Sequence, residues 1–155
     1  MKKTIITLFL SVISISLFAQ TENDYIEVVR SILKTEKKSV IAEVMELTEA
    51  ESEPFWLLYN EYDYKLTIVQ NKRINAIKEY VEEYGILTNE KADEIWNQVM
   101  DFKTASLKLE KQYYKKFKKI LPAAKAVKYF QAENKIEAKV SAYIATQLPM
   151  IIEDY

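Results

Sequence analysis

The 155-residue chain contains no histidine, no cysteine, one glycine and three prolines. Without cysteine there is no disulfide, no thiol nucleophile and no thiolate metal site. Without histidine there is no imidazole base, which closes Ser-His-Asp triads and the Glu-x-x-His ligand sets of di-iron bundles. One glycine, where about 7% is usual, leaves little material for β-turns or for loops that cradle phosphates. An excess of either charge is missing too: 22 Lys+Arg stand against 23 Asp+Glu. No global positive excess therefore favours nucleic acid as a partner. What remains, 49% hydrophobic and 29% charged, is the composition of a globular helical domain.

The one long hydrophobic run stands at the front. Lys2 and Lys3 precede an apolar stretch from Ile5 to Ala19 that only Thr and Ser interrupt. At about 15 residues it is shorter than the ~20 that a spanning helix needs, and it reads as a secretory signal. Residues 1–19 are therefore expected to be a signal peptide cut after Ala19, with an uncleaved membrane anchor as the alternative. Residues 20–155 are expected to form a single helical domain, located in the periplasm with no stable membrane insertion after signal removal. Loss of Lys2 and Lys3 leaves 20 basic groups against 23 acidic. With no cysteine in an oxidising compartment, stability has to come from packing.

Hydrophobic spacing is helical throughout. Ile26, Val29, Leu33, Val40, Val44 and Leu47 predict a first helix over about 22–46. Thr48 and Glu51 then form a capping-box pair for a second helix, with Pro54 either kinking it or making Ser52 the working cap. That helix carries Phe55, Tyr59, Tyr62, Leu66, Val69, Arg73, Ala76 and Tyr80, and ends at Tyr84 with Gly85 in the left-handed position after it. Thr88 caps a third helix, whose stripe runs from Ala92 and Ile95 through Phe102, Leu109, Tyr113 and Phe117 to Ile120. Pro122 ends the third helix and opens a fourth, which carries Ala126, Phe130, Val140, Ile144 and Leu148 and closes at Pro149. The expected fold is all-α with four helices, the middle two being a long antiparallel hairpin and the outer two flanking it.

Charge is distributed unevenly along this hairpin. Glu43, Glu46, Glu49, Glu51, Glu53, Glu61 and Asp63 are acidic with no base among them, whereas Lys108–Lys128 holds eight lysines and one acid, Glu110. An antiparallel hairpin places the acidic start of one helix beside the basic end of the next. The charges then either fix the hairpin or leave outward lysines as a basic strip interleaved with aromatic rings, suited to acidic or amphipathic polypeptides. Trp56, Tyr64, Trp96, Tyr114, Tyr129 and Tyr143 flank the core stripes. They either widen a face buried on two sides or line a binding surface. The carboxylates Glu79, Glu82 and Glu83 lack calcium-loop geometry, and Met45, Met100 and Met150 are isolated, so no metal site and no cofactor is expected.

Leu47-Thr48-Glu49-Ala50-Glu51 and Leu87-Thr88-Asn89-Glu90-Lys91 resemble the repeated Leu-Thr-x-x-Gln motifs of the Spy/CpxP family of bacterial periplasmic stress proteins, with the Gln replaced by Glu51 and Lys91. Phe55-Trp56-x-x-Tyr59-x-x-Tyr62, Leu121-Pro122-Ala123-Ala124-Lys125 and Phe130-Gln131-Ala132-Glu133-Asn134-Lys135 extend the likeness to about Leu148, toward Spy-like secreted proteins common in Bacteroidetes. The resemblance implies a thin, curved helical homodimer. Its Spy branch acts as an ATP-independent chaperone that holds unfolded clients on a basic and apolar face. Its CpxP branch binds and damps an envelope-stress sensor. Metal-sensing relatives use His or Met ligands, and this chain has no His.

The function expected is accordingly non-enzymatic. Lys111, Lys115, Lys118, Lys125 and Lys128 would steer unfolded or partly folded envelope proteins, and Trp56, Tyr114 and Tyr129 would supply apolar contact. The alternative partner is the periplasmic domain of a sensor. Leu47, Thr48, Glu51, Leu87 and Thr88 carry the family motif as helix caps.

Overall fold

A computed structural model describes residues 36–151. The expected signal peptide and most of the first helix lie outside them. The chain divides into two compact units at Glu43 and Val44. Residues 36–45 are helical (α1), and Glu46 follows with a positive φ of 45°. The second unit contains α2 (Glu49–Glu83), α3 (Asn89–Ile120) and α4 (Ala123–Gln147). The described residues are all helix and connection, without a strand, so the fold is all-α. No helix among them is long and apolar enough to cross a membrane.

The helix ends follow from local chemistry. At the start of α2 the Thr48 backbone N–H and hydroxyl both donate to the Glu51 carboxylate at 3.0 Å. Thr48 is thus the working cap, and Ser52 lies inside the helix with its N–H donating to the Thr48 carbonyl. Pro54 sits in the second turn, where its missing N–H deprives only the carbonyl of exposed Ala50. Gly85 follows α2 at φ +90°, a conformation that a Cβ makes costly. Thr88 caps α3 by accepting from the Lys91 N–H at 3.2 Å. Pro122 takes the cap position of α4, one residue before the first helical position expected for it.

α2 and α3 are antiparallel. Glu61 near the start of α2 reaches Lys116 near the end of α3 at 2.9 Å, and Glu79 reaches Lys91 at 3.0 Å at the opposite end. α4 runs back parallel to α2, as Tyr62 against Phe130, Arg73 with Glu137 and Tyr80 with Pro149 establish. The α4 backbone approaches α3 closely but not α2, so long side chains have to bridge from α2 to α4.

Aromatic rings do this at one end of the bundle. Phe55, Phe117 and Tyr129 are fully buried. Phe117 stacks obliquely on Tyr129 with centroids 4.5 Å apart, and Phe55 meets both at 5.4 Å. Each such ring contributes about 1.5–3 kcal/mol by leaving water, with edge-to-face contacts adding to it. Asp63 and Glu133 are also buried here, close to Tyr59, Tyr62 and Tyr129. Burial first, with Glu133 acting on all three and Asp63 on Tyr59 and Tyr62, pushes these phenols well above their ordinary value, so they remain protonated. Toward the glycine end the core side chains shrink to Ala76 and Ile95.

Candidate functional site

The lysine-rich end of α3 sits over the aromatic core and divides into two sets. One set faces α2. Lys116 donates to Glu61 at 2.9 Å, and the same carboxylate oxygen accepts from the buried Tyr113 hydroxyl at 2.6 Å and from Lys65 at 3.3 Å. Lys125, at the start of α4, pairs with Glu51. These donors push the Glu61 carboxyl down from 4.5 to about 2, the Tyr113 hydroxyl first and Lys116 second. Lys125 and the Thr48 N–H do the same to Glu51, again to about 2.

The other set faces outward. Lys111, Lys115 and Lys118 are exposed on α3. Lys111 and Lys115 make no ion pair among the described residues, and the Lys118 ammonium lies 5.4 Å over the Tyr114 ring, a cation–π contact. Tyr114 is half-buried, edge-on to Phe130 at 6.0 Å. Leu107, one turn before Lys111, is 51% exposed. This face combines positive charge with apolar area, and Tyr114 joins it to the aromatic core through Phe130.

The residues expected at the site therefore separate. Lys111, Lys115, Lys118 and Tyr114 come together on the outer face of α3. Lys125 is engaged in holding α4 to α2, and Lys128 is half-buried on α4. Trp56 is also half-buried, edge-on to Phe55 at 5.0 Å and to Tyr59 at 5.2 Å, so it lies against the core rings instead of pointing away from them. Tyr129 corrects the expectation outright. Its side chain is 0% exposed and belongs to the core, where no client can touch it. Of the motif residues, Thr48 with Glu51 and Thr88 act as caps, Leu47 is half-buried and Leu87 lines a cavity.

Two ion-pair ties went unread in the sequence, and a third feature was read only in part, through Trp96 as a flanking ring. Lys91, which breaks the second capping box, instead bridges Glu79 and Glu94 at 3.0 Å each and ties α2 to α3. Arg73 donates to Glu137 at 2.6 Å and to Ser141 at 3.0 Å, joining α2 to α4. Trp96, Met100 and Leu107 are exposed at helical spacing on α3, with the Lys103 ammonium 5.8 Å over the Trp96 ring. The four-residue and seven-residue spacings of that line were visible; its exposure depends on where α4 lies. Comparison with family models, with curated proteins and with solved structures finds no match to this chain.

Proposed function

We propose that this chain is a non-enzymatic, periplasmic client-binding protein of the Spy type, which holds exposed segments of unfolded envelope proteins without ATP. The observation that carries the reading is the outer face of α3, where Lys111, Lys115 and Lys118 project beside Tyr114 and Leu107. Lysines that are not committed to α2 steer acidic or amphipathic segments, since electrostatics raises the encounter rate more than the final affinity. Exposed apolar area then retains the segment weakly and reversibly. The two degraded Leu-Thr motifs, which cap α2 and α3, support the same reading through the family likeness they carry.

The test is suppression of aggregation. The protein, at near-stoichiometric ratio and without nucleotide, is expected to keep several unrelated unfolding proteins in solution, with the effect weakening as salt rises. A single tight partner in a pull-down, with no effect on aggregating proteins, contradicts the chaperone reading and supports a CpxP-like adaptor that binds one sensor.

A further inference from the structure

The two halves of α4 are held by different means. Up to Glu133 the helix is anchored by buried residues, with Tyr129 and Phe130 inside the ring cluster. From Asn134 to Gln147 no residue is buried. Glu137, Ser141, Ile144 and Leu148, at steps of four, three and four, share one half-buried line on this second half. That line faces α2, and its fastening is polar. The Arg73 side chain, 14% exposed, lies over the Phe102 ring of α3 at 5.4 Å and donates to Glu137 at 2.6 Å and to Ser141 at 3.0 Å. Gln70 donates to the other Glu137 oxygen at 3.2 Å. Beyond the helix, Tyr80 donates to the Pro149 carbonyl at 2.7 Å and Tyr84 to the Met150 carbonyl at 3.2 Å.

Packing beneath this end is incomplete. A half-open cavity of about 250 Å³ separates Ala76 and Tyr80 of α2 and Ile95 and Trp96 of α3 from Leu148 and Ile151. Hydrogen bonds that water can replace resist opening less than fully buried rings do, so local opening starts in this half. We infer that residues 134–148 are a strap that leaves α2 as a unit when the Arg73–Glu137–Ser141 latch lets go, uncovering the apolar walls at Ala76, Ile95 and Trp96. A segment this short is marginal as an isolated helix in water, so the released strap unwinds. The uncovered walls add apolar area for client capture. That use rests on the reading proposed above, whereas the opening itself does not.

Hydrogen exchange of the full chain, without client, reads the opening. Amides 138–144 are expected to share one level of protection, below that of 127–133. Glu137→Ala removes the acceptor of both Arg73 and Gln70, and should speed exchange of 138–144 at least about tenfold while leaving 127–133 unchanged. The chain has no cysteine, so Tyr84→Cys with Met150→Cys can be joined by bismaleimidoethane to pin the strap. The pinned protein should exchange 138–144 more slowly, bind less Nile red and suppress client aggregation less than the same variant capped with N-ethylmaleimide. Protection that declines residue by residue toward Gln147 is fraying and overturns the strap. So does a Glu137→Ala effect spread over both halves of α4, or pinned and capped proteins that behave alike. The expected exchange pattern in a wild type that suppresses no aggregation supports the strap and contradicts client capture.

Discussion

Glu61 shows how much one carboxylate can organise. A single oxygen accepts from a buried phenol on α3 and from two lysines, one on each helix. The two exposed ion pairs are each worth little; the Tyr113 hydroxyl is the larger element, because removing its acceptor leaves a polar group at a buried ring. Glu61→Ala is expected to cost about 1–2 kcal/mol, measured by urea unfolding at neutral pH. Acid provides a second check. Because the folded-state values of Glu51 and Glu61 lie near 2 instead of 4.5, their stabilisation is present above pH 4.5 and fades as pH falls toward 2. The melting temperature of the wild type should therefore drop more steeply across that interval than that of Glu51→Gln with Glu61→Gln, whose neutral amides do not titrate.

Helix ends and helix partners differ in how far the sequence reveals them. Thr48 with Glu51, Gly85, Thr88 and Pro122 are local signals, and each end lies within a residue of where those signals put it. Gly85→Ala meets no neighbouring atom within 4 Å. Its cost is then backbone strain alone, about 1–2 kcal/mol, and thermal melting should show it with unchanged helicity. Partners are set by distance between backbones, which no local pattern records. α4 sets rings against both other helices, Tyr129 meeting Phe55 of α2 and Phe117 of α3, so its inner side buries adjacent Tyr129 and Phe130 together, although they are about 100° apart around the helix. A single stripe keeps Phe130 and leaves Tyr129 outside, which is how a core ring comes to look like a contact residue. The same packing predicts that Phe117→Ala, which removes a ring touching Phe55, Tyr129 and Phe130, costs about 3–5 kcal/mol in denaturant unfolding.

At the scale of the whole molecule, a chain of nearly balanced charge carries a lysine-rich segment at one end of the α2–α3 hairpin and an apolar-lined cavity at the other. The paired lysines, Lys116 and Lys125, hold helices together; the outward ones, Lys111, Lys115 and Lys118, are available to a partner. Reversing members of the two sets should therefore have different consequences. Lys116→Glu with Lys125→Glu places like charges against Glu61 and Glu51 and is expected to lower the melting temperature.

The most direct measurement is client binding by Lys115→Glu with Lys118→Glu, taken together with its circular dichroism and melting curve. The account predicts that suppression of client aggregation is lost while helicity and melting temperature stay at wild-type values. Full suppression by this variant, or loss of suppression that accompanies unfolding of the hairpin, would contradict it.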